Sequence, residues 1–383
     1  MRRIGRGGWC AVSWLILILT ALWAAFLLRE ARQTRKARGQ LSHVIHVNGT
    51  RGKSTVCRLI EAGLRAGGLR VFCKTTGTDP MTIDVNGAEE LLTRRGRANI
   101  KEQIKILQRA AGQGAQVLIV ECMALQPELQ YAAQHQILRA DVGVITNVRR
   151  DHTDVMGETL EEICGALCNT IPKNGVLFTA ERVQTAGMAA AARRMGSELV
   201  AVCPGGDEPA FDFAENIALA LAVCQRLGVS RETALEGMAR FKRDPFALAL
   251  YRVRGAVWIN GLSINDVQST CMVWESLRER YSLGGKRLIL LVNNRADRGS
   301  RTQDMLQACL ALSPREVWLL GASQGYMRAR LEGRSILVKG FPGARALDFS
   351  GLDEGCAVFA IGNIAGEGRA VLARVEEEGI PFV

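Results

Sequence analysis

The sequence has no Cys-x-x-Cys pair, no internal repeat and no low-complexity tract. The absence of repeats excludes a solenoid made of stacked copies of one unit. The eleven cysteines are an odd number, and most of them lie in apolar runs. We therefore expect reduced, buried thiols of the kind found in the cytosol, and no disulfide framework.

Apart from these absences, the composition of the 383 residues is that of a globular protein, with 48% hydrophobic and 23% charged residues. Such a composition is not that of a disordered chain. The length allows two or three domains, each with a hydrophobic core of its own.

Charged residues are missing altogether from Trp9 to Leu28, a run of twenty residues. At about 1.5 Å per residue the run matches a hydrocarbon core of roughly 30 Å, so the sequence predicts one transmembrane helix. Trp9 and Trp23 are suited to the two membrane interfaces. A cleaved signal peptide is the alternative. The length of the run and the lack of a small-x-small cleavage site disfavour it.

The net charge of +11 is concentrated beside this run. Residues 1–38 hold eight basic residues and one acid, Glu30, which leaves a charge of +4 for the rest of the chain. The basic character thus belongs to a membrane-flanking segment, a membrane anchor and basic linker over residues 1–38, and we expect no nucleic-acid partner. Five basic residues follow the run and three precede it. This bias favours a single-pass protein of the cell membrane whose remaining chain is cytoplasmic.

After residue 38, short apolar runs alternate with longer amphipathic stretches. The runs that we interpret as strands are 43–48, 69–73, 117–121, 141–147 and 175–179. Helices are predicted at 213–227 and 231–241, the second with Ser230 as its N-cap. The alternation predicts an α/β domain over residues 39–243, with a parallel sheet covered on both faces.

The pattern breaks at Asp244-Pro245, and a second alternating set follows. Its predicted strands are 252–260, 287–293, 316–320 and 356–361, and its predicted helices are 266–280, 303–312 and 324–332, with a last helix after Ala365. We predict a smaller α/β domain over residues 244–383.

A glycine-rich segment follows the first predicted strand and opens a helix. Its residues are Gly49, Thr50, Arg51, Gly52, Lys53, Ser54 and Thr55, called the glycine loop below. Glycines let the backbone turn its N–H groups toward phosphate oxygens, and the helix N-terminus adds a favourable dipole. A lysine and a serine at these positions can face the β/γ phosphates and Mg²⁺. Because Val47 stands where the full P-loop pattern has glycine, this is a shorter variant, and we predict that it binds ATP.

Glu121 ends the predicted strand 117–121, and His152 follows the predicted strand 141–147; both strands should end beside the glycine loop. A carboxylate at the carboxyl end of a parallel strand is well placed to meet Mg²⁺. His152 is one of four histidines and stands between Asp151 and Asp154, so it can ligate a metal or hold a phosphate oxygen. The alternatives are a chance polar residue at a strand end and an ordinary histidine in a surface loop.

Two weaker signals remain. Lys74–Thr78 is either a turn whose hydroxyls bind substrate or phosphate, or a plain polar turn. Asn293–Arg298 ends a predicted strand of the second domain, and its charged side chains could contact nucleotide or an acidic substrate.

In this order, the motifs resemble those of the Mur ligase superfamily. Within it they are most similar to the family of poly-γ-glutamate synthase subunits PgsB and CapB, at Asn48–Thr55, Lys74–Asp79, Glu121–Ala124, Asp151–Gly157 and Asn293–Arg298. A membrane anchor in front of such a ligase fits that family as well. The similarity spans nearly the whole chain.

The resemblance implies an ATP- and Mg²⁺-dependent ligase that makes poly-γ-glutamate for a capsule. ATP phosphorylates the γ-carboxylate, and an amine then displaces phosphate from the acyl phosphate. The implied substrates are glutamate or a growing γ-glutamyl chain, and the implied partners are other membrane subunits of a polyglutamate synthase complex. The implied catalytic residues are Lys53, Glu121 and His152. Ser54, Glu121 and His152 would serve the metal. The glycine loop would bind the nucleotide with Asn216 near the adenine and with Arg295 and Asp297.

The chain departs from the superfamily at several places. Ala166 occupies the position of a lysine that many relatives carbamylate, and the nearest lysine is Lys173. Asn260–Asp266 stands where relatives have Asp-Tyr-Ala-His-Asn-Pro, and the domain that holds a UDP sugar is missing. A UDP-muramyl substrate is therefore disfavoured. A folylpolyglutamate synthase and a non-catalytic ATP-binding membrane scaffold remain the alternatives.

Overall fold

The computed structural model describes residues 6–77, 79–94, 96, 98–209, 212–244, 246–296 and 299–381. The chain divides into two compact units. The first unit consists of Met1–Thr76, Pro80–Val148 and His152–Phe241, and the second of Gly77–Asp79, Arg149–Asp151 and Lys242–Val383.

The first unit begins with one long helix, α1 (Arg6–Gly39). Its part from Ser13 to Gly39 is long and apolar enough to cross a membrane, judged by length and composition. The helix does not end with the apolar run at Leu28, because the Arg, Glu, Ala, Gln and Lys residues that follow are good helix formers. Thr34 and Ala37 near its end are buried. The segment expected to be a basic linker is therefore helical.

The rest of the first unit alternates strands and helices. Its elements are β1 (His43–Asn48), α2 (Lys53–Ala66), β2 (Val71–Thr75), β3 (Met81–Ile83), β4 (Glu89–Leu91), α3 (Glu102–Gly112), β5 (Val117–Glu121), α4 (Pro127–Tyr131), a π-helix (Ala132–Leu138), β6 (Val142–Ile145), α5 (Thr153–Met156), α6 (Leu160–Leu167), a 3₁₀ turn (Cys168–Thr170), β7 (Val176–Thr179), α7 (Thr185–Arg194), β8 (Glu198–Ala201), α8 (Ala214–Arg226) and α9 (Arg231–Met238).

The strands of this unit form one sheet in the order β4-β3-β2-β5-β1-β6-β7-β8. The pairs from β2 to β8 are parallel, as the alternation predicts, but β3 and β4 add an antiparallel edge. These two strands are three residues long and carry mixed polar residues, so no apolar run marks them in the sequence. One face of the sheet packs on α2, α8 and α9. On the other face α3 covers β2, β5 and β1, while α6 and α7 cover β6 and β7.

The second unit has a sheet of its own. Its elements are β9 (Ala249–Val253), β10 (Ala256–Gly261), α10 (Val267–Arg280), a 3₁₀ turn (Leu283–Gly285), β11 (Arg287–Asn294), α11 (Gly299–Leu312), β12 (Glu316–Gly321), α12 (Gln324–Leu331), β13 (Leu337–Gly340), a 3₁₀ turn (Ala344–Ala346), β14 (Cys356–Gly362), α13 (Glu367–Glu378) and β15 (Ile380–Pro381). The strand order is β13-β12-β11-β14-β10-β9-β15. Helices α10, α11 and α12 pack on one face and α13 on the other.

One sequence prediction in this unit is wrong. The single strand predicted over 252–260 is the middle of a hairpin, because β9 and β10 pair antiparallel. The turn falls at Arg254 and Gly255, both with positive φ, +50° and +87°. Two successive residues of positive φ are what a tight hairpin turn requires, and glycine supplies one of them at no steric cost.

Candidate functional site

The glycine loop connects the end of β1 to the start of α2. Gly49 has a φ of +125° and Gly52 a φ of +79°, which L side chains rarely adopt. A Cβ at Gly49 would lie 2.1 Å from Oγ1 of Thr146, and one at Gly52 would lie 2.9 Å from Oδ1 of Asn216. Both positions therefore favour glycine for backbone conformation, and at Gly49 a side chain would also clash with the Thr146 backbone.

Residues at the end of β6 hold the loop from one side. The N–H of Thr50 donates to the carbonyl of Asn147 at 3.1 Å. The Asn147 side chain accepts from the N–H of Arg51 and donates to the Arg51 carbonyl, each at 3.1 Å. The hydroxyl of Thr146 donates to that carbonyl at 2.6 Å. The loop backbone is thus fixed by protein contacts, which leaves less to organise when a ligand binds.

Lys53 opens α2 and turns back over the loop. Its Nζ donates to the carbonyl of Gly49 at 2.7 Å and to that of Thr50 at 3.3 Å. An ammonium group has three donors, so it can keep a loop carbonyl while it faces an anion. The positive charge therefore sits beside the backbone that the sequence predicts to bind phosphate.

Ser54 and Glu121 are in contact, as expected if both serve one cation. The Ser54 hydroxyl donates to Oε2 of Glu121 at 2.8 Å, and the N–H of Thr76 donates to the same oxygen at 2.6 Å. Glu121 is 3% exposed and pairs with Val47 across β5 and β1, directly before the loop. A buried carboxylate beside a hydroxyl fits Mg²⁺, which prefers hard oxygen ligands and keeps several waters.

His152 follows the strand on the other side of β1. That strand, β6, neighbours β1 on the side opposite to β5, and His152 is the residue before α5, with a φ of +49°. The strands that carry Glu121 and precede His152 therefore lie on either side of β1, the strand that leads into the glycine loop. Among the residues that the structure describes, no group of three or more His, Cys, Asp or Glu is arranged to hold a metal. A cation here would need phosphate oxygens and water beside the protein ligands.

The position at which many relatives carry a carbamylated lysine is occupied here by a buried alanine. Ala166 is buried in α6, in the apolar cluster that includes Ile145, Leu177 and Met188. Lys173, the nearest lysine along the chain, is exposed.

Asn216 contacts the glycine loop itself. It stands in the first turn of α8, where its amide donates to Asp212 at 2.8 Å and its oxygen abuts Gly52. The remaining loop residues differ in exposure, since Thr50 is buried while Arg51 and Thr55 are half-buried.

Lys74 is a fully buried cation at the end of β2. Its Nζ lies 3.0 Å from Oε1 of Glu102, and Arg94 binds the other oxygen of Glu102 at 2.7 Å. Burial lowers the pKa of Lys74, and the charge of Glu102 opposes this. The segment Lys74–Thr78 is not simply a turn, because Lys74 and Thr75 belong to the strand. Thr78 lies outside the described residues.

A buried polar network lies at the end of β1. The amide of Asn48 donates to Gln130 at 2.8 Å and to Thr170 at 3.2 Å. Nδ1 of His46 lies 2.8 Å from Oε1 of Gln134, which belongs to the π-helix. Burial lowers the pKa of His46 to about 4, although the hydrogen bond to Gln134 raises it. The network therefore holds a neutral imidazole at neutral pH and fixes the residue that precedes the loop.

In the second unit, Arg295 lines a cleft at the carboxyl ends of β11 and β14. The lining residues are Asn293, Asn294, Arg295, Arg301, Met305, Gly362 and Asn363. From β11 the chain continues outward to β12 and β13 on one side, and it then returns to β14 on the other side of β11. The strand order therefore reverses between β11 and β14, where the cleft lies. Ligands in open α/β sheets bind at such points. Asp297 lies outside the described residues.

Several contacts could not be inferred from motifs alone. The sequence analysis places Asn147 only at the end of the strand predicted over 141–147 and Thr76 only in the Lys74–Thr78 turn, and it predicts no role for Thr146 or Gln130. An amide directly after a strand that neighbours β1 is the signal that points to Asn147. The others depend on contacts between residues far apart in sequence.

The two α/β units and the glycine loop define a ligase of the Mur ligase and folylpolyglutamate synthase fold. A solved bifunctional folylpolyglutamate synthase/dihydrofolate synthase of Yersinia pestis, complexed with AMPPNP and a manganese ion, matches with a TM-score of 0.64 and 18% identity, over 93% of this chain and 97% of that chain. The folylpolyglutamate synthase of Mycobacterium tuberculosis complexed with ADP matches with a TM-score of 0.63 and 14% identity, over 90% and 93%. At this identity the likeness shows the fold.

Residues 47–201 match the Mur ligase middle domain, and residues 247–378 match the C-terminal domain of poly-γ-glutamate synthase CapB. "PGA synthase CapB" of Bacillus subtilis (strain 168) is 32% identical over 390 residues, 95% of this chain and 98% of that protein. "Capsule biosynthesis protein CapB" of Bacillus anthracis is 30% identical over 396 residues, 98% of this chain and 85% of that protein. The chain belongs to the poly-γ-glutamate synthase CapB family.

The fold class and the resemblance inferred from the sequence are thereby confirmed. So is the class of activity: the chain is an ATP-dependent ligase that forms amide bonds.

Proposed function

We propose that this chain polymerises glutamate through its γ-carboxylate, with the glycine loop as the nucleotide site. The γ-phosphoryl group of ATP is transferred to the carboxylate, and ADP leaves. The amine of a second glutamate attacks the acyl phosphate, an amide bond forms, and inorganic phosphate leaves. The observation that carries the proposal is the Ser54–Glu121 contact beside the glycine loop, in a chain of the CapB family.

Each residue of the first unit has a role suited to its chemistry. The N–H groups of the loop and Lys53 bind and orient the phosphates, since phosphoryl transfer depends mainly on positioning and charge. Ser54, Glu121 and His152 would hold Mg²⁺, which when bound offsets the charge on the transferred group. Asn216 abuts the loop and is proposed to border the nucleotide.

The cleft of the second unit is the proposed place for the amino acid. Arg295 and Arg301 supply positive charge there, and three asparagines supply amide donors and acceptors. A guanidinium fork matches a carboxylate in shape as well as in charge. A nucleotide is the other ligand that these charged side chains could contact, but the amide-rich lining suits an amino acid with two carboxylates.

α1 is proposed to anchor the chain as a single-pass protein of the cell membrane, with both units in the cytoplasm where ATP is available. The proposed domains are the anchor and linker over residues 1–38, the ATP-binding domain over 39–243 and the C-terminal ligase domain over 244–383. Membrane subunits of a polyglutamate synthase complex are the proposed partners.

The test is glutamate-dependent release of phosphate from ATP by the full chain in vesicles, with the product analysed by mass spectrometry. A ladder of γ-glutamyl products is expected with glutamate and no folate. A strict requirement for folate would instead favour a folylpolyglutamate synthase. If the protein is folded and binds ATP, but neither glutamate nor folate stimulates phosphate release, a non-catalytic scaffold would be favoured.

A further inference from the structure

The end of α1 has two faces with different contacts. One face packs on the first unit, where Ala37 joins the apolar side chains of Ile106, Leu107 and Ala110 on α3. Arg38 extends this contact with an ion pair to Asp141 at 2.8 Å. The rotation of the helix about its axis is therefore fixed relative to the first unit.

The opposite face carries Arg29, Arg32 and Lys36, called the basic strip below. All three side chains are exposed. At about 100° per residue they fall within an arc of about 60° and lie at least about 140° around the helix from the buried Thr34. Within the described part of the chain, none of them makes an ion pair or side-chain hydrogen bond with the protein. The basic strip thus presents its charge to the surroundings.

Glu30, the acidic residue of this segment, lies toward the packed face of the helix and away from the basic strip. Glu30 lies about 40° from Thr34 around the helix and is half-buried. Its carbonyl accepts the Thr34 hydroxyl at 2.8 Å. Negative charge therefore does not offset the basic strip on its own face.

From these observations we propose that the basic strip binds the headgroups of anionic phospholipids in the leaflet next to the first unit. The proposal rests on the membrane anchoring proposed above. Its ligand chemistry is the lipid phosphodiester, which the guanidinium fork of arginine matches.

The distance along the helix supports a lipid ligand. Arg29 follows Leu28, the last residue of the apolar run, and Arg32 lies about 4.5 Å further along the axis. Headgroups occupy about 5–8 Å beyond the hydrocarbon in each leaflet, so both arginines fall within them. Lys36 lies about 10 Å beyond Arg29, where a long side chain can reach back and where surface potential still acts.

The test uses the full chain reconstituted in vesicles of phosphatidylcholine with a minor fraction of spin-labelled phosphatidylglycerol or spin-labelled phosphatidylcholine. The spectra give the fraction of each lipid that contacts the protein. We expect phosphatidylglycerol to be preferred by about twofold or more at low salt, and the preference to fall in 1 M salt. The variant R29Q/R32Q/K36Q should show nearly equal contact for the two lipids.

Two control variants sharpen the result. R29K/R32K keeps the charge and should keep most of the preference. R193Q/R194Q/R334Q removes three exposed charges outside α1 and should keep all of it. Equal lipid contact in the unmodified protein would overturn the proposal, and so would a preference that the triple strip variant leaves unchanged. Recovery of the chain in the soluble fraction would also overturn it.

A soluble polyanion is the competing ligand. Strip-dependent binding of free poly-γ-glutamate, with no preference between the two lipids, would overturn the lipid assignment. Glutamate-dependent phosphate release is measured on the same vesicles. A lipid preference without ligation would support the basic strip and contradict the proposed function, so the two failures are distinguishable.

Discussion

The Ser54 hydroxyl donates a hydrogen bond of 2.8 Å to the Glu121 carboxylate, although the two residues are 67 positions apart. The contact arises because β1 and β5 are adjacent parallel strands whose carboxyl ends meet at one edge of the sheet. The backbone N–H of Thr76, after the next strand, donates to the same oxygen at 2.6 Å. Three neighbouring strand ends thus fix the position of one negative charge beside the glycine loop.

Replacing Lys53 by alanine should abolish turnover while the fold is kept. Alanine is a good helix former, so α2 should still form, but the charge facing the phosphates is lost. We expect the rate to fall by about 10²-fold or more, as for other charge-stabilising groups. The measurement is glutamate-dependent phosphate release, with circular dichroism for the fold. Lys105→Ala, on the exposed surface of α3, is the matched control. Unchanged activity in the Lys53 variant would refute the assignment.

Glu121→Gln should raise the Mg²⁺ concentration needed for activity more than it weakens nucleotide binding. Glutamine keeps the shape of glutamate and can still accept from Ser54 and Thr76, so any effect comes from the lost charge. His152→Ala tests the other proposed ligand in the same way. Initial rates against Mg²⁺ for the three proteins decide the matter. Identical curves would remove both residues from the metal site.

Added bicarbonate should not change the rate. Bicarbonate supplies the carbamate in relatives that carry the reactive lysine, and here Ala166 is buried at that position. The measurement is the initial rate in bicarbonate-depleted buffer with and without added bicarbonate. A bicarbonate-dependent rate would show that another lysine takes the role.

Asn147→Ala should weaken ATP binding, because it leaves the N–H and the carbonyl of Arg51 without the amide that now pairs with both. Losing these hydrogen bonds costs about 1–3 kcal/mol, so the affinity should fall by roughly 5- to 150-fold. Calorimetric titration with a non-hydrolysable ATP analogue measures it. Asn147→Asp keeps the acceptor for the N–H of Arg51 but loses the donor, and an intermediate affinity is expected.

Two truncations should separate anchoring from packing. Removal of residues 1–28 deletes the apolar run but keeps Thr34, Ala37 and Arg38, whereas removal of residues 1–38 deletes these contacts too. Both truncated proteins should leave the membrane fraction. The protein that lacks residues 1–38 should have a free energy of unfolding about 1–3 kcal/mol lower than the one that lacks residues 1–28, because apolar side chains of α3 become exposed. Urea unfolding gives the difference. Equal stabilities would mean that the packed end of α1 contributes nothing, and continued integral membrane association would refute a single anchor.

His46 should make stability depend on pH below neutrality. Its pKa is about 4 in the folded protein, where burial disfavours the charged ring, against 6.5 for an unperturbed histidine. The unfolded state therefore binds a proton as pH falls through 6.5, and the folded state does so only near 4. The contribution of neutral His46 to the free energy of unfolding is therefore full above pH 6.5 and is lost as pH falls from 6.5 to 4. The loss is at most about 3 kcal/mol. The difference in unfolding free energy between the wild type and His46→Gln should shrink from pH 7 to pH 4.5. A constant difference would contradict this.

The parts of the fold with a clear period or motif could be predicted from the sequence. The strands 43–48 and 117–121 were predicted at their observed bounds, because apolar runs buried on both faces leave a plain signal. The same parallel topology predicts that Glu121 lies beside the glycine loop, and the structure adds its hydrogen bond with Ser54. The proposed roles of Asn216, Arg295 and the other site residues remain predictions.

Other features lack such a signal. Strand β3 is three residues long with a threonine in its middle, and β4 is largely exposed. Neither strand therefore contains an apolar run in the sequence. The π-helix and its link between Gln134 and His46 depend on tertiary contacts 88 residues apart. The hairpin at Arg254 and Gly255 was missed because apolar residues continue on both sides of a two-residue turn.

Because α1 is one unbroken helix, the proposed membrane segment has a fixed rotation about the helix axis relative to the first unit. An inserted heptad between Leu28 and Thr34 would lift the first unit by about 10 Å with a rotation of only about 20°, whereas three added residues would turn it by about 60°. If α1 spans the membrane as proposed, a partner subunit in the plane of the bilayer would meet the first unit at one height and from one direction. A flexible spacer would allow the first unit to take any orientation about the axis of the apolar helix. A continuous helix instead sets that orientation by the number of residues in the sequence.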